Sequence, residues 1–291
     1  MDSPLQFLVI EGYPKESRDQ FDEVGMRLAG VLYEDLVHQH LPDAICTTWI
    51  ASDDPGGAPG NDALPHYDGI LWPGCNLTVY HDHDERVAGQ LDLARRAYEA
   101  GVPQFGSCWG IQVAVVAAGG EVGPHKDGRE MGLARKIHVT DAGKDHPMME
   151  DKPAVYSHFV SHDDEVKTLP EGAVLLAGNF HSRVQAVAVT HQNGAFWATQ
   201  YHPEYDLHEV ARLVIAREPK LVKQGFFRGH DDLMEYVDKL EALYQDPSRK
   251  DLRWQLDIDD DVLDDRIRQR EFTNWLEKVV LPKAGQSTPI I

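Results

Sequence analysis

Residues 101–112 read Gly101-Val102-Pro103-Gln104-Phe105-Gly106-Ser107-Cys108-Trp109-Gly110-Ile111-Gln112. The apolar run 102–105 predicts a buried strand, and the alanine- and valine-rich run 111–118 predicts a helix. Cys108 lies at the tight turn between them, flanked by two glycines that let backbone and substrate approach closely. Such a side chain projects from the carboxyl edge of the sheet at a helix N-terminus, which favours the nucleophilic thiolate. The alternative is a buried, inert cysteine.

A second stretch supplies a base for such a cysteine. Residues 195–201 predict a strand that runs into His202, Pro203 and Glu204. A cysteine nucleophile needs a base within hydrogen-bond reach, and the base needs a third group to orient it. In an extended chain, His202 and Glu204 project on the same side, so Glu204 can accept from one ring nitrogen while the other faces the sulfur. The alternative for His-Pro-Glu alone is a solvated turn.

Together, the two motifs resemble those of the class I glutamine amidotransferases, in particular the amidotransferase domain of GMP synthetase and its stand-alone relatives. The likeness runs from about residue 67 to about residue 214. Besides the segments around the cysteine and the histidine, it includes residues 69–75, 119–120, 129–132 and 157–164. The resemblance implies an amide hydrolase with a Cys-His-Glu triad that uses no cofactor.

This arrangement suits attack of the Cys108 thiolate on an unactivated carboxamide, that of glutamine or of a γ-glutamyl amide. His202 would protonate the leaving ammonia or amine, and water would then hydrolyse the γ-glutamyl thioester to release glutamate. Glu204 would fix the imidazole tautomer and stabilise its charged form. Three residues distant in the sequence would therefore form one catalytic unit.

The tetrahedral oxyanion formed in this reaction needs hydrogen-bond donors that are already in place. The N–H of Trp109, next after the nucleophile at a helix start, is one candidate. By resemblance, the second donor comes from the turn at Gly74 and Cys75. The family usually has glycine at both central positions of that turn, whereas this chain has a cysteine at the second, so its side chain must be accommodated.

The resemblance also implies substrate-binding residues. Gln112 matches the family glutamine that contacts the amino-acid end of the substrate, and Ser161 and His162 match the pair whose backbone holds the substrate. Relatives often have glycine where this chain has Asp163. Either this carboxylate faces the pocket and changes how the substrate's amino group or leaving amine is recognised, or it points to solvent.

The chain around these motifs alternates strand and helix patterns. Strand patterns at 6–10, 44–50 and 67–72 alternate with helical patterns at 18–41 and 85–100. This rhythm predicts an α/β fold with a doubly wound, mostly parallel sheet and sites beyond the carboxyl ends of its strands. An antiparallel section is expected from the later strand patterns, with a hairpin turn at 192–194: 133–140, 154–159, 173–177, 184–190 and 196–201.

The composition changes after residue 217. We expect an amidotransferase-like domain over residues 1–217, whose last helix spans about 206–217, and a helical extension over 218–291 packed on it. Helical patterns in the extension cover 231–245 and 262–280. The extension either packs only against the domain or also forms a docking or homo-oligomer surface, or a lid over the site.

Charge and cysteine content restrict the partners and the compartment. The 291 residues carry 28 basic and 48 acidic side chains, a net charge of -20, which argues against nucleic acid and anionic membrane surfaces. Three cysteines form no disulfide framework, and residues 1–4 lack the basic segment of a signal peptide. A cytoplasmic location is therefore expected, with no membrane span.

The run from Tyr80 to Glu85 contains His81 and His83 among carboxylates, a composition that could bind zinc. Acids just before a helix are also expected from capping and the helix dipole. Because capping explains them, no metal site is predicted.

Three functions remain open. One is a glutaminase that passes ammonia to a separate synthetase subunit, because this chain has no phosphate-binding loop of its own. A second is a free-standing hydrolase of γ-glutamyl amides or peptides in a breakdown pathway. A third, of another class, is a catalytically silent binding or regulatory module.

Overall fold

The computed structural model describes residues 3–285 of the chain. Residues 1–2, part of the stretch used to judge a signal peptide, lie outside the described residues. So do residues 286–291, the end of the predicted C-terminal extension. Within residues 3–285, none of the helices combines the length and the apolar character needed to cross a membrane.

Two sheets form the framework of the described chain. Their strands are β1 Gln6–Glu11, β2 Ile45–Ile50, β3 Gly69–Trp72, β4 Gln104–Ser107, β5 Glu121–Pro124, β6 Glu130–Val139, β7 Val155–His162, β8 Asp164–Thr168, β9 Ala173–Gly178, β10 Ala186–His191 and β11 Gly194–Thr199. The large sheet has the order β2-β1-β3-β4-β11-β10-β9-β6-β7, and β5 pairs with β8 in a small second sheet.

Helices cover both faces of the large sheet. They are α1 Lys15–Val24, α2 Ala29–His40, α3 Glu85–Ala100, α4 Trp109–Ala117, α5 Asp141–Lys144, α6 Leu207–Ala216, α7 Glu218–Lys223, α8 His230–Gln245, α9 Lys250–Leu256, α10 Asp260–Leu263, α11 Asp265–Arg268, α12 Arg270–Trp275 and α13 Leu281–Lys283. A π-helical turn, Leu276–Val280, joins the last two, and short 3₁₀ turns span Leu64–His66 and Pro147–Met149.

The sheet combines a parallel half with an antiparallel half. Strands β2, β1, β3, β4 and β11 pair in parallel. From β11 onward, through β10, β9, β6 and β7, the pairs are antiparallel. The predicted fold class, including the hairpin that joins β10 and β11, is confirmed. In this order β4 and β11 are parallel neighbours, so the segments that follow them meet at the same edge of the sheet.

Alternating residues of β1 show why both faces are covered. Leu8 and Ile10 pack into an apolar cluster under α3 and α4, whereas Phe7 and Val9 pack into a second cluster under α2 and α12. This is the two-residue period of a strand buried on both sides. Strand β1, near the centre of the parallel half of the sheet, is therefore held between two cores.

Two helix predictions were wrong in their extent. The pattern at 18–41 is divided between α1 and α2, because the chain takes a left-handed conformation at Gly25 (φ 73°). The pattern at 262–280 is divided into short helical turns. Asp264 is extended there, and its carboxylate caps the N–H of Arg266 instead of continuing a helix.

The C-terminal residues pack into the same core as the sheet. Trp275 is fully buried, with its ring centroid 6.2 Å from that of Phe7 and 5.7 Å from that of Phe105. Lys152 and Glu271 form a fully buried ion pair at 2.9 Å. The boundary at residue 217 stays a prediction, but these contacts tie α12 to β1 and β4.

Replacing Trp275 by alanine is expected to lower the free energy of unfolding by about 3–5 kcal/mol, because it removes a large buried aromatic side chain. Urea unfolding followed by circular dichroism measures this. Trp254→Ala is the matched control: Trp254 is 88% exposed, so its loss should change the free energy by less than about 0.5 kcal/mol. Equal effects of the two changes would contradict the packing described above.

Candidate active site

Cys108 occupies the turn between β4 and α4. Its backbone has φ 52° and ψ −90°, a conformation that is strained for a residue with a side chain. The Cys108 N–H donates to the carbonyl of Thr199 at 2.8 Å, which anchors the turn to the end of β11. The side chain is 5% exposed and lines a pocket. The sulfur is therefore fixed at the carboxyl edge of the sheet, at the start of a helix.

The glycines beside Cys108 serve packing. A Cβ at Gly106 would lie 2.7 Å from the carbonyl oxygen of Trp72, and one at Gly110 would lie 2.6 Å from the same atom. Both positions must lack a side chain for the start of α4 to approach β3. The sequence interpretation assigned these glycines to close approach in general; the contact that requires them is with the neighbouring strand.

His202 and Glu204 follow β11, next to the nucleophile turn. The ring Nδ1–H of His202 donates to Oε1 of Glu204 at 2.7 Å, and both side chains are almost completely buried. The ring of Tyr205 stacks on the imidazole with centroids 4.0 Å apart and planes 4° from parallel. The hydroxyl of Ser107 donates to the same Glu204 oxygen at 2.9 Å. The imidazole is therefore held by a carboxylate on one edge and by an aromatic ring on one face.

The charge on His202 is stabilised by its neighbours. Burial by itself lowers the pKa of His202, but the negative charge of Glu204 and interactions with the Cys108 sulfur and the Glu204 carboxylate outweigh it. Together they raise the pKa of His202 to about 10. The sulfur, the imidazole and the carboxylate thus lie together, and these neighbours favour the charged form of the imidazole. The roles assigned to these three residues remain predictions.

The candidate oxyanion donors belong to two segments next to Cys108, the start of α4 and the turn at Gly74 and Cys75. Trp109 is the first residue of α4, so its N–H has no acceptor within the helix. Gly74 lies beside both His202 and Cys108. The Cys75 sulfur accepts from the N–H of Leu77 at 3.4 Å, and burial raises the pKa of this thiol. The cysteine that replaces the family glycine is therefore accommodated, as a protonated thiol at the pocket wall.

Gly74→Ala is expected to lower kcat about 10- to 100-fold and to lower the free energy of unfolding by about 1–3 kcal/mol, the usual cost of overpacking a buried site. A Cβ at Gly74 would lie 2.8 Å from Cε1 of His202 and 3.8 Å from Cβ of Cys108, so it would displace the imidazole from the sulfur. Steady-state kinetics and thermal unfolding of the variant measure the two effects. Full activity would show that Gly74 does not border the reacting groups.

A pocket of about 460 Å³ opens in front of Cys108. Gln112 and Ser161 line it, and the carbonyl oxygen of Ser161 lies 3.8 Å from the Cys108 sulfur. Oε1 of Gln112 is buried and has no hydrogen-bond partner among the described residues. These two positions therefore present polar atoms to a bound molecule.

The His162 side chain has other partners. Its Nε2 bonds to Glu130 at 2.9 Å and its Nδ1 to the carbonyl of Asp164 at 2.9 Å. With the ring held in this way, the backbone of His162 is the part that can contact a substrate in the pocket.

Several charged residues at the pocket received no role from the sequence. Arg129 donates to the Ser161 hydroxyl at 2.8 Å and also bonds to the Asp163 carboxylate. Lys220, from α7, bonds to the same carboxylate at 2.6 Å. Asp163 lines the pocket and is paired with these two cations. Arg129 lies in a stretch that carries the family resemblance, but nothing in the sequence signals the contact between α7 and the loop after β7.

The acidic run before α3 has a capping function. The Asp84 carboxylate accepts from the N–H of Arg86 at 3.0 Å at the start of α3. His81 and His83 have ring centroids 5.7 Å apart. Among residues 3–285, no group of three or more histidine, cysteine or acidic side chains is arranged to hold a metal ion.

Comparison with known proteins adds a family match. The model of the glutamine amidotransferase class-I family matches residues 57–218. A γ-glutamyl-L-1-hydroxyisopropylamide hydrolase from a Pseudomonas species is 30% identical over 286 residues, which cover 96% of this chain and 95% of that protein. One subunit of the glutamine-hydrolysing GMP synthase of Methanocaldococcus jannaschii is 36% identical over 121 residues, which cover 41% of this chain and 58% of that subunit.

The fold also matches solved structures. A glutamine amidotransferase from Thermotoga maritima superposes with a TM-score of 0.65 at 16% sequence identity, covering 95% of this chain and 98% of that one. At this identity the likeness concerns the fold. It covers nearly the whole of both chains.

Proposed function

The chain belongs to the class I glutamine amidotransferase family, and from this premise we propose that it is a free-standing hydrolase of γ-glutamyl amides that uses Cys108, His202 and Glu204. The proposed substrate class rests on one observation. The Pseudomonas γ-glutamyl-L-1-hydroxyisopropylamide hydrolase matches 96% of this chain, whereas the Methanocaldococcus GMP synthase subunit matches 41%. The match with the hydrolase therefore extends well beyond the region shared with the synthase.

In the first half of the proposed reaction, the Cys108 sulfur attacks the γ-carbonyl carbon of the substrate. The carbonyl oxygen becomes an oxyanion, which the N–H groups of Trp109 and of the Gly74–Cys75 turn stabilise. The charged imidazole of His202 gives its proton to the leaving nitrogen, the carbon–nitrogen bond breaks, and the amine departs. The product on the enzyme is a γ-glutamyl thioester on Cys108.

In the second half, His202 is neutral and acts as the base. It takes a proton from water, the hydroxide attacks the thioester carbon, and the carbon–sulfur bond breaks. Glutamate leaves, and the thiolate–imidazolium pair is restored. Glu204 stabilises the imidazolium at the beginning and end of this cycle, through its 2.7 Å hydrogen bond to Nδ1.

A second candidate is a glutaminase that supplies ammonia to a separate synthetase. The 36% identity with the Methanocaldococcus GMP synthase subunit favours it. The chemistry at the sulfur would be the same, with ammonia as the leaving group. The two candidates differ in the substrate that is turned over fastest and in the need for a partner.

Glutamate release from L-glutamine and from γ-glutamyl-L-1-hydroxyisopropylamide by the purified chain separates them. The hydrolase proposal predicts that kcat/KM for the substituted amide exceeds that for glutamine at least about 10-fold, with no partner added. A preference for glutamine, or turnover only when a synthetase is added, would overturn it in favour of the glutaminase.

A further inference from the structure

Asp163 lies at the junction of β7 and β8, at the wall of the pocket. Its side chain is 36% exposed and carries bonds from three groups: the Arg129 guanidinium, the Lys220 ammonium at 2.6 Å and the Gln224 amide at 3.3 Å. Arg129 is nearly buried, whereas Lys220 is 48% exposed. The carboxylate is therefore paired with a nearly buried guanidinium and, towards the solvent, with a half-exposed lysine.

The Asp163 carboxylate and the Cys108 sulfur are placed to contact opposite ends of a γ-glutamyl group. The Ser161 carbonyl is 3.8 Å from the Cys108 sulfur, and Asp163, two residues further along the chain, lines the same pocket. Arg129 spans the same interval, from the Ser161 hydroxyl to the Asp163 carboxylate. In a γ-glutamyl group, three carbon–carbon bonds separate the attacked carbonyl carbon from Cα, which carries the ammonium and the carboxylate. With the carbonyl at the sulfur, Cα and its two charged groups remain within the pocket that Asp163 lines.

We propose that Asp163 and Lys220 recognise the α-amino acid end of the substrate: Asp163 binds the α-ammonium and Lys220 binds the α-carboxylate. This assignment rests on the proposed function and specifies which residues determine its substrate class. In the free enzyme the two side chains neutralise each other. A zwitterionic ligand brings the opposite pair of charges, so four alternating charges can form a ring while Arg129 keeps hold of Asp163.

The alternative is that the Asp163–Lys220 pair only fastens α7 to the loop between β7 and β8. Exposed ion pairs of this kind contribute little to stability. The two roles differ in one respect. If the pair only holds α7 in place, its loss should change the affinity for all ligands alike. If the pair binds the substrate, its loss should weaken only those ligands that carry the matching charge.

Isothermal titration calorimetry on the Cys108→Ala variant, which does not need turnover, tests this with three ligands. They are γ-L-glutamyl isopropylamide, its desamino analogue N-isopropylglutaramic acid, and its descarboxy analogue 4-amino-N-isopropylbutanamide. Adding Asp163→Asn should weaken binding of the two ligands that carry the amino group about 10- to 100-fold and that of the desamino analogue less than about 3-fold. Adding Lys220→Gln should instead weaken the two ligands that carry the carboxylate.

Asp141→Asn is the matched control, since it removes a surface carboxylate paired with Lys144 at 2.7 Å, away from the pocket residues. It should leave all three affinities unchanged. Equal weakening of the three ligands by Asp163→Asn, no weakening, or failure of the Cys108→Ala variant to bind the parent amide would each overturn the assignment. If wild-type enzyme releases no glutamate but the charge-specific pattern appears, the proposed function fails and the assignment stands.

Discussion

Cys108→Ala is expected to reduce hydrolysis of γ-glutamyl amides by about 10⁴-fold or more, because alanine cannot form the thioester on which both half-reactions depend. The change removes one sulfur atom from a side chain that lines the pocket, and the Cys108 N–H can still bond to Thr199. Substrate binding should therefore survive. Glutamate release under saturating substrate measures the loss in kcat.

Cys46→Ala is the control for this experiment. Cys46 lies on β2 and does not line the pocket, so its replacement should leave kcat within about 2-fold of the wild-type value. Thermal unfolding of both variants shows whether either has lost its fold. A Cys108→Ala protein that is folded and fully active would rule out the assigned nucleophile.

Glu204→Gln is expected to lower kcat by about 10²- to 10⁴-fold. The amide has nearly the same shape as the carboxylate and can still accept from Nδ1 of His202, but it carries no charge to stabilise the imidazolium. It also places an NH₂ group where Oε2 of Glu204 is buried and has no partner among the described residues. Comparison with Glu204→Asp, which keeps the charge but shortens the side chain, separates the loss of charge from the loss of geometry.

Glu204→Gln should also change the pH dependence of kcat/KM. In the wild-type enzyme, the pKa of His202 is raised to about 10, so the proton needed by the leaving amine is present at neutral pH and lost as the pH rises through about 10. We expect kcat/KM to fall above that pH. Without the Glu204 charge the pKa of His202 falls, and the decline should begin at a lower pH. Profiles that coincide for wild type and Glu204→Gln would contradict this coupling.

The raised pKa of His202 also makes the free energy of unfolding depend on pH. A histidine whose pKa is raised on folding stabilises the native state fully below its unfolded pKa of about 6.5. That contribution is lost as the pH rises through about 10. The free energy of unfolding of the wild-type protein should therefore decrease over this interval by more than that of His202→Gln.

The parts of the fold that could be predicted from the sequence depend on local patterns. The strand, tight turn and helix around Cys108 follow from an apolar run, two glycines and an alanine-rich run within a few residues. The hairpin of β10 and β11 requires only two strand patterns and the turn before Gly194. These signals are independent of distant contacts, which is why the fold class could be predicted correctly.

The errors arose where side chains compete with the backbone or with distant partners. The apolar spacing at 262–280 is helical, but it takes no account of Asp264, whose carboxylate caps a new turn and interrupts the helix. The small sheet of β5 and β8 was not predicted, because each strand is short and neither alternates clearly. Such features depend on capping and on long-range pairing, which periodicity does not record.

In the site, the sequence identified residues within the motifs. It did not identify contacts between segments that are distant in the sequence. The hydrogen bond of Ser107 to Glu204 joins positions 97 residues apart, and that of Lys220 to Asp163 joins positions 57 apart. Neither contact has a local signature. His162 illustrates the same limit: its position was predicted, but only the structure shows that its ring is committed to Glu130.

Trapping the covalent intermediate tests the central claim most directly. Wild-type enzyme mixed with a γ-glutamyl amide, quenched in acid within one turnover and digested, can be analysed by mass spectrometry. The account predicts an adduct with the mass of one glutamyl group on the peptide that contains Cys108, and unmodified peptides containing Cys46 and Cys75. Rapid turnover with an adduct on another residue, or with no adduct even when hydrolysis of the thioester is slowed, would contradict it.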